Sequence, residues 1–121
     1  MGKIKIIIEQ MKGSYKSFEI DNDPLWKDYP LEGVTYPVDY GYIKGYKSED
    51  NHDLDVFVGS GKLSGYLKIW RYDVPAETKI LYQVSQKELE SIMIIFEPVI
   101  LEICLLDKEE KFNSFLQKYK K

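Results

Sequence analysis

A chain of 121 residues, 44% hydrophobic and 31% charged, is long enough for one soluble domain with a buried core and too short for two. Its formal net charge of −3 and single arginine, Arg71, argue against a nucleic-acid surface and against bidentate arginine clamps. No apolar run approaches the roughly 20 residues of a bilayer span. Met1-Gly-Lys-Ile-Lys5 lacks the form of a signal peptide, and Ile6 stands where an N-myristoylation start needs Ser or Thr. The one cysteine, Cys104, lies in an apolar run and is expected to pack as a small core residue, which fits a reducing, cytoplasmic setting.

Residues 3–9 alternate and then turn apolar, which predicts a strand buried on at least one face. Lys12-Gly13-Ser14 reads as a hairpin turn, with residues 15–20 as the returning strand. Residues 21–33 carry Pro24 and Pro30 and read as loop. Residues 36–43 form an aromatic-rich segment around a turn at Gly41. Residues 54–58 are a predicted strand with Leu54, Val56 and Val58 on one face and Asp53, Asp55 and Phe57 on the other.

Residues 65–72 and 78–84 read as two strands joined by a turn containing Pro75. Ser85-Gln-Lys-Glu88 is a capping box opening a helix through about Phe96. Pro98 ends it, and residues 99–106 form another strand. Asp107 is the expected cap of a terminal helix whose buried stripe is Phe112, Phe115, Leu116 and Tyr119. Five or more short strands with helices confined to the C-terminal half predict an α+β, mainly β, single domain over residues 1–121, built as a small closed barrel plus helices.

The chemistry concentrates in Tyr36-Pro-Val-Asp-Tyr-Gly-Tyr-Ile43 and, seven residues on, Asp50-Asn-His-Asp-Leu-Asp-Val56. Carboxylates packed at one strand entrance repel each other unless a positive group sits among them, and a hard divalent cation is the usual one. The tyrosines just upstream offer hydroxyls that can orient an anion held by such a metal.

This segment resembles the signature of the soluble family I inorganic pyrophosphatases, Asp-Gly-Asp-Pro-x-Asp-Val preceded by Tyr-Pro-x-x-Tyr-Gly. Asp50 and Asp55 stand at its first and third aspartates, His52 replaces the middle one and Asp53 replaces the proline. The resemblance is specific over residues 36–58 and looser elsewhere. It implies an OB-like closed β-barrel with flanking C-terminal helices, and metal-dependent hydrolysis of pyrophosphate to two phosphates, in a short, divergent and cytoplasmic member of the family. It further implies a homo-oligomer using Mg²⁺, or Mn²⁺ or Co²⁺, with pyrophosphate as a small-molecule substrate and with neither nucleic acid nor membrane as partner.

What the resemblance implies for single residues follows its motifs. Asp50, Asp55 and Glu77 would hold a metal, with Glu77-Thr78-Lys79 similar to a downstream acid–lysine pair, and Asp73 and Glu9 as further ligands. Lys79, Tyr36, Lys16 and Glu19 would hold substrate. Glu9 and Glu19 fall on a Glu-x₇-Lys-x-Glu pattern in which Ser17 takes the lysine position and Lys16 lies one residue off. His52, Asp55 and Tyr40 would serve catalysis. A histidine near neutrality can act as a base but adds no negative charge, and imidazole suits Mn²⁺, Co²⁺ or Zn²⁺ better than Mg²⁺.

The plainer alternatives are an exposed loop position for His52 and a turn-forming role for Asp73. A family arginine upstream of Tyr36 has no counterpart, Lys27 and Asp28 lying near its place. Of a late Tyr-Lys pair, Tyr119-Lys120 is the one candidate, and it reads better as part of a packing helix. Loss of several phosphate-binding cations leaves a second functional class, a catalytically weak or inactive relative that binds metal, phosphate or a protein partner. The ten tyrosines also admit a stacking platform for single strands, against which the acidic balance of the chain stands.

Overall fold

The structure is a computed structural model that describes residues 4–17, 32–70 and 76–121. Strands β1 (Ile6–Gln10), β4 (Asp39–Lys47), β5 (Asp53–Val58), β6 (Leu63–Ile69), β7 (Glu77–Val84) and β8 (Ile100–Leu105) form one sheet. Its order is β1-β4-β5-β7-β6-β8. Strands β2 (Tyr15–Ser17) and β3 (Gly33–Thr35) make a separate two-stranded sheet. The pairing of β5 with β7 is parallel, whereas the other pairings are antiparallel. Among the described residues no helix is long and apolar enough to cross a membrane.

The expected α+β, mainly β class holds, but the sheet does not close into an OB-like barrel: β1 and β8 are its two edges. The central strands are apolar on both faces. Leu54 and Val56 of β5 and Ile80 of β7 pack on one side, while Phe57 and Leu81 pack on the other. Each of these apolar faces is covered by a layer of its own. Helix α1 (Gln86–Phe96) supplies Leu89, Ile92 and Phe96 to the Phe57 side. Helix α2 (Glu109–Gln117) supplies Phe112, Phe115 and Leu116 to the Leu54 side. In both helices the apolar spacing of three and four residues makes a single buried stripe.

Four local readings change. Residues 12–14 do form a turn, with Ser14 N donating to Met11 O at 3.0 Å, but the chain does not return along β1. Strand β2 pairs with β3 instead, and β1 pairs with β4 through Ile6↔Ile43 and Ile8↔Gly41. Gly41 therefore lies inside a nine-residue strand and not at a turn. Asp107 does not cap α2, whose N-cap is Lys108 without a side-chain cap; its carboxylate instead accepts from Lys111 at 3.3 Å, one helical turn on. Cys104 is half-buried because β8 is an edge strand.

The capping box of α1 is present in full. Ser85 Oγ accepts from Glu88 N at 3.1 Å, and Glu88 Oε1 accepts from Ser85 N at 2.7 Å and from Ser60 N at 2.9 Å. Partial burial pushes the Glu88 carboxyl up, but hydrogen bonds from Ser60 and Ser85 outweigh it and hold the group below its ordinary value of 4.5. A lowered folded value means that the stabilisation is complete above about pH 4.5 and fades as pH falls through the folded value. Glu88→Gln is expected to cost about 1 kcal/mol at pH 7 and to lose that deficit as pH falls through the lowered folded value, as read from urea midpoints across the pH range. A deficit that does not shrink with acid would refute this assignment.

Candidate functional site

The parallel register places Asp55 of β5 directly opposite Lys79 of β7, and the antiparallel register places Tyr40 of β4 opposite Phe57. Side chains alternate along each strand, so Asp55, Phe57, Glu77, Lys79, Leu81 and Tyr40 emerge on the α1 side of the sheet. There Lys79 Nζ donates to Tyr40 Oη at 2.6 Å and to Asp55 Oδ2 at 2.9 Å, and lies 3.1 Å from Glu77 Oε2. The contacts to Tyr40 and Asp55 are hydrogen bonds, and the contact to Glu77 is an ion pair.

An aromatic column supports this centre. Tyr36 stacks on Tyr40 at 4.6 Å, Tyr40 meets Phe57 at 4.8 Å, and Phe57 meets Phe96 of α1 edge-on at 5.8 Å. Each such pair adds about 0.5–1.5 kcal/mol beyond area burial and fixes ring directions. The column holds the Tyr40 hydroxyl at the end of the lysine. Because that hydroxyl oxygen accepts from Lys79, its own proton is left for a further acceptor.

Protonation follows from the same packing. Burial alone would push the Lys79 ammonium down, but Asp55 and Glu77 more than offset it, and its pKa stands well above the ordinary 10.5. Burial pushes Tyr40 well above 10.0; Lys79 opposes the rise and Asp55 adds to it. Burial likewise pushes Tyr36 up to about 12, against Lys79 and with smaller contributions from Asp55 and Glu9. Both phenols are thus proton donors throughout the physiological range. Among the described residues, Lys79 is the ammonium that Asp55 and Glu77 share.

The remaining predicted residues are placed as follows. Glu9 is the extra residue of a bulge in β1, between Ile8↔Gly41 and Gln10↔Tyr40, near enough for its charge to reach Tyr36. Asp50 and His52 occupy the turn between β4 and β5, where Asp50 Oδ1 accepts from His52 N at 2.9 Å and Asn51 takes φ 65°. His52 is exposed, and Asp53 pairs with Lys47 at 3.0 Å. Lys16 is exposed on β2. Glu19 and Asp73, with Lys27 and Asp28, lie outside the described residues. Asp55, Glu77, Lys79 and Tyr40 are thus brought into contact, with Tyr36 stacked behind. Among the described residues no three of His, Cys, Asp and Glu form a group able to hold a metal.

One group has no counterpart in the predicted site. Glu49 reaches the opposite face of β7, where Oε1 accepts from Thr78 N at 2.9 Å and Oε2 from Thr78 Oγ1 at 2.7 Å. Ser48 donates to Oε1 at 2.8 Å and the Tyr119 hydroxyl to Oε2 at 3.3 Å. Burial pushes the Glu49 carboxyl up, but the bonds from Thr78 and Ser48 win and its pKa is lowered. Tyr119, of the predicted Tyr-Lys pair, therefore sits behind the centre and not in it. The one sequence signal for this group is the place of Glu49 and Thr78 beside site residues, which spacing alone does not connect.

A cation at the centre can be tested against its donors. Oxygens of Asp55 and Glu77 both lie within 3.1 Å of Lys79 Nζ, so they converge on a point that the ammonium fills, and a cation they held would sit beside it. Two converging carboxylates fit the usual Mg²⁺ mode, in which water and substrate phosphate complete the shell; they fall short of an all-protein cage.

The family model described as Inorganic Pyrophosphatase matches residues 1–95. An inorganic pyrophosphatase of Corynebacterium glutamicum is 38% identical over 58 residues, covering 46% of this chain and 37% of that protein. The match thus spans little more than a third of that relative's length. No solved structure matches the chain. Since the matched residues 1–95 make up most of the 121-residue chain and include Tyr36, Tyr40, Asp55, Glu77 and Lys79, the chain belongs to the inorganic pyrophosphatase family.

Proposed function

We propose that this protein hydrolyses inorganic pyrophosphate with the help of a divalent cation, and that Lys79, Tyr40, Tyr36, Asp55 and Glu77 form its working centre. The observation that carries this reading is the Lys79 ammonium held by Asp55, Glu77 and Tyr40 at 2.6–3.1 Å. Phosphoanhydride cleavage asks a protein mainly for positioning and for charge placed where phosphate oxygens will sit. A buried, permanently charged ammonium bonded to the protonated Tyr40 phenol, with Tyr36 stacked behind it, meets that need for one phosphate. Lys79 exchanges one carboxylate partner for a phosphate oxygen, and Tyr40 turns its free proton toward the same group.

Asp55 and Glu77 would hold the cation. When bound, it offsets phosphate charge and acidifies a coordinated water. The side chain of Asp55, 23% exposed against 4% for Glu77, is the carboxylate that solvent reaches, and it is the group placed to receive a proton from an attacking water. Glu9, whose charge reaches Tyr36, makes the surroundings of the centre more negative, which favours a divalent ion over a monovalent one.

The test is phosphate release from pyrophosphate by the purified protein with Mg²⁺, Mn²⁺ and Co²⁺ in parallel. Turnover is expected with Mg²⁺, and Asp55→Ala is expected to lower kcat on the order of 10²-fold or more. Lack of release with all three ions, from a folded protein that still binds one of them, would overturn the hydrolase reading.

A further inference from the structure

The β5–β7 ladder begins at Asp55↔Lys79, so Thr78, one residue earlier, has no β5 residue opposite it. Yet Thr78 is fully buried and lies between Glu77 and Lys79. The Glu49 carboxylate continues the ladder there. It takes the Thr78 peptide N–H at 2.9 Å and the Thr78 hydroxyl at 2.7 Å, while the Ser48 hydroxyl lies 3.4 Å from the Thr78 carbonyl. A second clamp reaches the same point from the C-terminal segment. The Tyr119 hydroxyl lies 3.0 Å from Thr78 Oγ1 and 3.3 Å from Glu49 Oε2. The tail is itself tied to the end of β4, with Lys47 N donating to Tyr119 O at 2.8 Å and Lys121 N to Gly45 O at 2.9 Å.

We propose that Glu49 is a positioning residue of the centre, acting through Thr78 and braced by Tyr119, so that the C-terminal segment becomes part of the machinery. This inference rests on the hydrolase reading above. Glu49 does not touch the reacting groups. It fixes the backbone that carries Glu77 and Lys79, whose side chains point to the other face. Without it the first residues of β7 are held from β6 alone, and the distance between Lys79 and Asp55 is no longer set from both sides. A displacement near 1 Å at a positioned group can cost on the order of 10²-fold in rate. The brace comes from residue 119, beyond the 1–95 segment that matches the family, so this route to the centre belongs to this chain's own C-terminal part.

Paired substitutions at Thr78 separate positioning from packing. Thr78→Ser keeps the hydroxyl and loses a buried methyl; Thr78→Val keeps the shape and loses the hydroxyl. Positioning through Glu49 predicts that Thr78→Val lowers kcat about tenfold with KM changed less than about threefold, while Thr78→Ser stays near the parent. Tyr119→Phe, which removes one peripheral hydroxyl, is expected to act in the same direction and more weakly.

The second readout is hydrogen exchange of the Lys79 ammonium followed by NMR in the absence of substrate. It is expected to quicken about tenfold or more in Thr78→Val and in Glu49→Ala, and to stay unchanged in Thr78→Ser. The reverse ranking, with Ser impaired and Val intact, would overturn the inference in favour of packing. So would Lys79 exchange that is indifferent to every variant. If the parent itself releases no phosphate, the hydrolase reading falls, and the exchange ranking alone upholds or rejects the positioning role.

Discussion

Lys79→Met is expected to abolish pyrophosphate hydrolysis and to destabilise the fold by about 3–5 kcal/mol, the usual effect of removing one member of a buried ion group. The loss comes from what is left behind. With the ammonium gone, Asp55 and Glu77 lose the cation they share, their side chains only 23% and 4% exposed, and the Tyr40 hydroxyl loses its donor. Neutralising the acids as well, in the triple variant Asp55→Asn, Glu77→Gln, Lys79→Met, removes the stranded charges and is expected to recover most of the lost stability while remaining inactive. Urea midpoints of parent, single and triple variants decide the matter. A single variant as stable as the parent, or a triple variant no better than the single, would show that Lys79 does not neutralise this pair. A divalent cation should also raise the midpoint of Lys79→Met more than that of the parent, since it can take the place of the missing ammonium between the two carboxylates.

The legible features are those whose cause is local. The α1 capping box needs only Ser85 and Glu88 three residues apart, and it is found as read. The alternation in β5 puts Leu54 and Val56 on one face and Asp55 and Phe57 on the other because a strand allows no other parity. Of the residues singled out by the resemblance, Lys79, read as a phosphate contact, lies against Asp55 and Glu77, both read as metal ligands.

What failed was set at a distance. The barrel was inferred from strand number, but closure is decided by whether the two edge strands pair, and β1 and β8 do not. The β1–β2 hairpin lost to β4 because Gly41 admits β1 along its flank. Glu49 looks like an ordinary surface acid, and its partner Thr78 is 29 residues away. Glu19 and Asp73 fall outside the described residues and leave their assigned roles as proposals.

Gly41→Ala is the second change expected to have a large effect, on the order of 3 kcal/mol or more, and two glycines of one strand show why. At Gly45 φ is +84° and a Cβ would meet open space, so Gly45→Ala carries only the left-handed backbone penalty of about 1–2 kcal/mol. At Gly41 the obstacle is a neighbour. A Cβ there would lie 1.8 Å from the Ile7 carbonyl oxygen and 2.8 Å from Ile8 Cα, both backbone atoms of β1 that no rotamer change can move aside. The strands must part at the Ile8↔Gly41 pair, next to the bulge at Glu9.

Parting loosens Ile4 and Ile6 from the Leu54 side of the core. It also loosens the section of β4 that presents Tyr40, so activity should fall together with stability. For a chain of 121 residues the expected loss corresponds to roughly 10 °C or more in Tm. Amide exchange should quicken first at residues 6–10 and their β4 partners. A Tm within about 2 °C of the parent, with β1 amides still protected, would mean that β1 does not lie against β4 at Gly41. Fast exchange confined to β1, with the rest of the sheet protected, would instead show that β1 is an edge added to a core stable without it, and hydrolysis by that variant would then report how much of the Tyr40 placement depends on the strand beside it.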